Sequence, residues 1–239
     1  MQLWLCPLFA FLLGSIPFGL LISKAKGIDI RQHGSGNIGA TNVLRVIGKK
    51  YGITCLLLDA LKGFIPVALA VNLIQITGRP VQIPLGLADA WVLKLAAADA
   101  LKAQIAHILT ALCAVLGHNY SPWVGFKGGK GIATSAGVLL ALMPFAVLLL
   151  LVVWAVLFLA TRYVSVASIG ASVALPFLTL WGSWHHGRIQ DGTWNKPLFI
   201  FTVIIAVMAV WKHRANIRRL RDGTENRFVS KSKRGQQES

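Results

Sequence analysis

Residues 132–160, IATSAGVLLALMPFAVLLLLVVWAVLFLA, contain no charged side chain. A helix crosses the hydrocarbon core with about 20 apolar residues, so this run is long for one span and short for two. Pro144 lies near its middle, where its ring removes a backbone donor and crowds the preceding turn. Whether the run crosses once or twice fixes the topology of everything that follows it.

The rest of the chain also reads as membrane protein. Of 239 residues, 55% are hydrophobic and 13% charged, and mean hydropathy is +0.64. A soluble domain carries roughly 25% charged residues. Further apolar runs occupy 3–22, 52–77, 103–120, 163–183 and 197–211. The first is longer than the roughly 7–15 residues of a signal-peptide core and has no basic residue before it, which predicts a retained span. The second contains Asp59 and Lys62, one helical turn apart and expected to pair. Cys6, Cys55 and Cys113 all fall in apolar segments and read as packing residues.

Charge decides the crossing number. With Lys24, Lys26, Arg31, Arg45, Lys49 and Lys50 in the cytoplasm, a single crossing by 132–160 would put the tail outside, with its nine Lys or Arg between Lys212 and Arg234. That violates the positive-inside rule. A hairpin bent near Met143-Pro144 places 18 of the 24 basic residues inside and five outside, with Lys62 in a span. The expectation is an all-α polytopic protein of about seven helical segments, two of them short, with its N-terminus outside and its C-terminus cytoplasmic. Residues 1–213 form one membrane domain and 214–239 a basic cytoplasmic tail. Residues 79–102, with Asp89, Lys94, Asp99 and Lys102 on an Ala/Leu background, read as an inserted interfacial or outer-loop helix.

This topology gathers three polar stretches on one side. The first, HGSGNIGATNVLRVIGKK (33–50), holds a G-x-G-x-x-G at Gly34, Gly36 and Gly39. A dinucleotide fingerprint needs a buried strand before it. GIDIRQH is too polar and too short for one, and Asp59, at the ribose-acid distance, lies in a span. The alternative is an anion nest of glycine-bent amides feeding a short helix from about Ala40 to Gly48. Ser35, Gly36, Asn37, Gly39, Thr41 and Asn42 would contribute donors, and Arg45, one turn past Thr41, a bidentate fork for phosphate.

The second stretch, GHNYSPWVGFKGGKGIATSAG (117–137), resembles a P-loop without being one. Val124 stands at the first glycine position of that motif, and Gly131 follows Lys130 where a Mg²⁺-binding hydroxyl belongs. Lys127, Gly128, Gly129 and Lys130 before a helix starting near Ile132 still suit a phosphate. His118 is expected to brace this loop. In the third stretch, TRYVSVASIG (161–170), Arg162, Ser165 and Ser168 repeat every three residues, which predicts one helix face. The tail repeats that spacing with His213, Asn216 and Arg219.

The absences narrow the chemistry. The chain has eight acidic residues, and none pair at metal-ligand spacing on this side. No G-x-S-x-G elbow occurs. The polar stretches are rich in donors and poor in bases. They suit substrates that bring their own negative charge and a good leaving group, with no metal and no cofactor.

SGNIGATNVLR (35–45), GHNYSPWVGFKGGKGIAT (117–134) and RYVSVASI (162–169) together resemble the signature regions of the bacterial acyl-phosphate:glycerol-3-phosphate acyltransferases. LLDALKG and HRANIRRL resemble further features of that family. The resemblance implies a multi-pass inner-membrane enzyme that acylates the 1-hydroxyl of glycerol 3-phosphate from acyl phosphate, without a covalent acyl-enzyme, to give lysophosphatidic acid. Its expected catalytic residues are Ser35, Arg45 and Ser165. Substrate binding falls to Gly36, Asn37, Gly39, Thr41, Asn42, Lys127, Gly128, Gly129, Lys130, His213 and Asn216. The expected partners are these two substrates, membrane lipid and the enzyme that synthesises acyl phosphate, with no nucleic acid. A transporter of a phosphorylated metabolite shares the cationic site but should line a transmembrane path with ionisable residues. Only Asp59 and Lys62 qualify.

Overall fold

The computed structural model describes residues 2–81 and 83–228. The last part of the basic tail, with Lys231, Lys233 and Arg234, lies outside the described residues. Those described form α1 (Gln2–Gly14), α2 (Phe18–Lys24), α3 (Ala40–Val46), α4 (Lys49–Leu73), β1 (Ile74–Ile76), β2 (Leu93–Leu95), α5 (Ala100–Asn119), α6 (Ile132–Leu142), α7 (Pro144–Thr161), α8 (Val164–His185), α9 (Lys196–Lys212) and α10 (Arg214–Arg221). Among them five helical stretches are long and apolar enough to cross a membrane, or six if α9 and α10, bent by 52°, count as one span. These stretches expose Leu8, Leu12, Leu57, Leu61, Leu148, Val152 and Phe177. So much apolar surface requires lipid around it, and the chain is a multi-pass membrane protein.

The chain divides into two compact units, Met1–Val147 with Asn195–Phe201, and Leu148–Trp194 with Thr202–Ser239. In the first unit, glycines let helices approach to backbone contact. A Cβ at Gly14 of α1 would overlap the Ala114 carbonyl oxygen of α5, and one at Gly117 would overlap that of Phe11. Gly63 of α4 and Gly137 of α6 likewise face the carbonyls of Thr134 and Ala60. In lipid, where burying apolar surface gains little, such small-residue seams supply the dispersion that holds helices together.

Three stretches add detail to the sequence expectation or depart from it. The run 3–22 falls in one candidate span, Gln2–Lys24, as expected, but its helix is interrupted at Pro17, which lacks an N–H, and α2 restarts at Phe18. The break carries polar contacts: Ser121 Oγ donates to the Ser15 carbonyl at 2.6 Å, and the Trp123 indole N–H to Ser15 Oγ at 2.8 Å. Residues 79–102 are not a helix until Ala100. Pro80, Pro84 and Gly86 interrupt it, and the alternating WVLKL segment supplies β2, which pairs in parallel with β1 in the register Ile74–Leu93, Gln75–Lys94, Ile76–Leu95. The 132–160 run breaks at Met143, as Pro144 predicts, into unequal helices of 11 and 18 residues.

Candidate active site

The first unit holds two glycine loops on a shared core. Ile30, Ile38 and Val43 from the first loop, Val124 from the second, Leu20 of α2 and Cys55 of α4 form one buried apolar cluster. The two loops are therefore neighbours at one end of this unit.

The first loop begins at a short 3-10 turn, Ile30–Gln32, where Asp29 accepts from the Arg31 N–H at 3.1 Å. The Arg31 guanidinium also grips Asp29, at 2.6 Å from Nη2, and this hydrogen bonding holds the Asp29 carboxyl down to about 2. Arg31 is thus committed to the turn. Gly34 and Gly36 both have positive φ, as left-handed turns require. Asn42, buried at 2% exposure, organises the loop. Its Nδ2 donates to the carbonyls of His33 and Asn37 at 3.0 and 2.9 Å, and its Oδ1 accepts the Ser35 N–H at 3.0 Å.

This corrects part of the sequence reading. Asn42 spends both of its amide N–H donors on the loop's own backbone, so it offers no donor to a phosphate. Asn37 Oδ1 accepts the Gly39 N–H at 2.7 Å, and the Gly36 N–H donates to the His33 carbonyl at 3.0 Å. The main-chain donors of Ser35, Gly36 and Gly39, expected to form an anion nest, are turned onto the loop itself. Besides the first N–H groups of α3, the loop carries the Ser35 and Thr41 hydroxyls and the Arg45 guanidinium, all half-buried. The expected helix behind it is α3, ending at Val46.

The second loop leaves α5 at Asn119, passes a 3-10 turn at Pro122–Val124, and enters α6 through Gly131, at φ +80°. Lys127 is exposed, whereas Gly129 and Gly131 are buried. The Gly129 N–H donates to the His118 carbonyl at 3.1 Å. A Cβ on Gly128 would overlap that same carbonyl oxygen, and one on Gly129 the His118 ring. His118, 5% exposed, is therefore the floor of the loop. Its Nδ1 lies 3.6 Å from Asp59 Oδ1, and Asp59 pairs with Lys62 at 2.8 Å, as the sequence spacing predicts.

The second unit collects the remaining candidates around a residue that the sequence reading missed. Glu225, 8% exposed, accepts from Ser165 Oγ at 2.9 Å and Asn216 Nδ2 at 2.6 Å on one oxygen, and from Arg219 Nε at 2.7 Å on the other. Burial pushes its carboxyl up, but these three donors outweigh that and hold it below its ordinary value. Ser168 accepts from the Trp154 indole at 3.2 Å. Arg162 does not share the serines' helix face. It has a left-handed backbone, φ +65°, and precedes α8. His213 is buried at the start of α10, with Nδ1 2.7 Å from the Ala209 carbonyl. A carbonyl only accepts, so Nδ1 carries the proton. Nothing in the sequence set Glu225 apart from Asp222 in a basic tail; its value appears only when α10 turns it back toward α8. Among the described residues no three His, Cys, Asp or Glu side chains gather in metal-binding geometry.

Known proteins resemble this chain in sequence and fold. The family model for glycerol-3-phosphate acyltransferase matches residues 4–223. Glycerol-3-phosphate acyltransferases of Geotalea daltonii and Aquifex aeolicus are 46% and 42% identical over 220 and 221 residues, covering 92% of this chain and 94% and 96% of theirs. Among solved structures, PlsY, an integral membrane glycerol 3-phosphate acyltransferase, is similar in its glycerol 3-phosphate form, with TM-score 0.77, 37% identity and 96% of both chains covered. Its lysophosphatidic acid form is similar with TM-score 0.74. With the family model and relatives of more than 40% identity matching over nearly the whole length, the chain belongs to the glycerol-3-phosphate acyltransferase family.

Proposed function

We propose that the chain transfers a fatty acyl group from acyl phosphate to the 1-hydroxyl of sn-glycerol 3-phosphate, giving lysophosphatidic acid and phosphate, at the cytoplasmic face of the bacterial inner membrane. The hydroxyl oxygen attacks the acyl carbon, the bond from that carbon to the phosphate oxygen breaks, and the hydroxyl proton leaves on the departing phosphate. Acyl phosphate is a mixed anhydride, so positioning and charge neutralisation are the main demands on the protein. The observation that supports the reading is the packing of both glycine loops on one core, so that the loop carrying the hydroxyls and the guanidinium and the loop carrying the two lysines are neighbours. Two phosphate-bearing substrates need such neighbours.

In this reading Ser35, Thr41 and Arg45 receive the acyl phosphate head, while Lys127, Lys130 and the glycine turn at 128–129 receive glycerol 3-phosphate. The solved relative's glycerol 3-phosphate and lysophosphatidic acid forms support this acceptor and product. In the second unit, His213 and Asn216 are assigned to the acceptor and Ser165 to hydroxyl alignment. Its proton is committed to Glu225, so Ser165 Oγ presents lone pairs and can accept from a substrate hydroxyl. The proposal includes seven helical segments with the N-terminus outside, an association with the enzyme that makes acyl phosphate, and catalysis without a metal. The donor-rich, carboxylate-poor composition of the loops supports the last.

Detergent-purified protein is the test. Lysophosphatidic acid should form from glycerol 3-phosphate with acyl phosphate, with or without a chelator, and not with acyl-CoA. Product formed only from acyl-CoA, or only before chelation, overturns the donor or the metal-free part. Arg45→Lys should lower kcat about tenfold or more, because a point charge cannot reproduce two charge-assisted hydrogen bonds. Phosphate release at the wild-type rate in that variant would remove Arg45 from its role.

A further inference from the structure

We propose that Asp59 and His118 are positioning residues for the second glycine loop, with Lys62 as the buried counter-charge. The proposal rests on the reading that this loop binds the phosphate of glycerol 3-phosphate.

Asp59 is the eleventh residue of α4, about 15 Å along its axis from Lys49. The Asp59 and Lys62 side chains are 3% and 2% exposed. Ionised groups so deep in a spanning helix are costly, and a hydrophobic pair would pack there at less cost. The pair is also more elaborate than helix neutrality needs. Lys62 Nζ donates to the Ile16 carbonyl at 2.6 Å, anchoring it to the break between α1 and α2. Asp59 Oδ2 accepts from Cys55 Sγ at 3.7 Å, and Oδ1 faces both Lys62 and His118 Nδ1. Lys62 and Cys55 hold the two carboxylate oxygens, and the His118 imidazole packs against Oδ1 at 3.6 Å.

The other edge of that imidazole occupies the space a side chain at position 129 would need. Gly128 and Gly129 rest on the His118 carbonyl and ring, so the ring's orientation sets the height of the loop and of Lys127 and Lys130, which flank the glycines. Asp59 lies on α4, on the Nδ1 side of the ring. It acts through His118, as carboxylates behind metal-binding or catalytic histidines do.

The experiment compares glycerol 3-phosphate kinetics at saturating acyl donor. His118→Ala should raise KM for glycerol 3-phosphate about tenfold and change kcat less than about threefold. D59N/K62M, which removes both charges together and strands neither, should give the same KM shift. The triple variant should be no worse than either, since coupled residues are non-additive. A monodisperse D59N/K62M protein with wild-type KM overturns the proposal, as do KM effects that multiply in the triple variant. If His118→Ala does not fold, D59N/K62M alone decides. Two controls isolate the underlying reading. Wild-type protein inactive with acyl phosphate but active with acyl-CoA fails the donor assignment only, and the KM series is then run with acyl-CoA. K127A/K130A with unchanged KM fails the loop assignment itself.

Discussion

Glu225→Ala is expected to leave little folded protein in the membrane, and what is purified should lose its monodisperse form roughly 10 °C below wild type on heating in detergent. The residue is nearly sealed from solvent and is the common acceptor for Ser165, Asn216 and Arg219. Removing it leaves a buried amide and hydroxyl and a partly exposed guanidinium without this acceptor, a loss of about 2–3 kcal/mol. Glu225→Gln should recover only part of the loss, since its amide nitrogen would meet one of the three donors with another donor. The pH dependence has a definite sign. The folded protein holds this carboxyl below its ordinary value of 4.5, so its contribution is complete above that value and is lost as pH falls through the lower one. Wild-type thermal stability should therefore fall below pH 4.5 more steeply than that of the Gln variant. Parallel curves would remove the ionised carboxylate from the account.

Glu225 also marks where sequence reasoning stopped. Spans were legible because lipid imposes a length and a composition that local sequence must meet, and Pro144 and the basic tail settled the break at Met143. The Asp59–Lys62 pair was legible for a similar reason, since its spacing lies within one helix. The glycine loops could be located, but not the direction of their amides. That depends on Asn42, which reaches back nine residues to the His33 carbonyl and seven to the Ser35 N–H, and on Asn37 closing over Gly39. The same polar residues read as ligand donors in sequence and serve as loop scaffolding in the fold. Composition does not distinguish the two, because both uses require Asn, Gly and Ser in a short polar run. The 79–102 segment failed differently. Its Ala and Leu content suggests helix, but Pro80 and Pro84 decide against it and Leu93 to Leu95 find a partner strand.

The other large effect is expected from Gly128→Ala, and its neighbour provides the contrast. At Gly128 an added methyl would overlap a main-chain oxygen, that of His118, within the last turn of α5. Neither side can yield without unwinding that helix end or lifting the loop, so glycerol 3-phosphate-dependent turnover should fall at least a hundredfold while α4, α5 and α6 stay packed. At Gly129 the methyl meets instead a side chain, the buried His118 ring, which lies 3.6 Å from Asp59. Gly129→Ala should be nearly as damaging alone, but in the G129A/H118A background the obstruction is gone. That double variant should return to the level of His118→Ala, whereas G128A/H118A should not recover, because the carbonyl remains. The readout is KM and kcat for glycerol 3-phosphate on protein shown monodisperse by size exclusion. Recovery in both double variants, or in neither, would mean that the loop does not rest on His118 through these two different atoms. The expected asymmetry between two adjacent glycines follows from a single feature, a helix end placed so that its last buried histidine supports the loop with both its backbone and its ring.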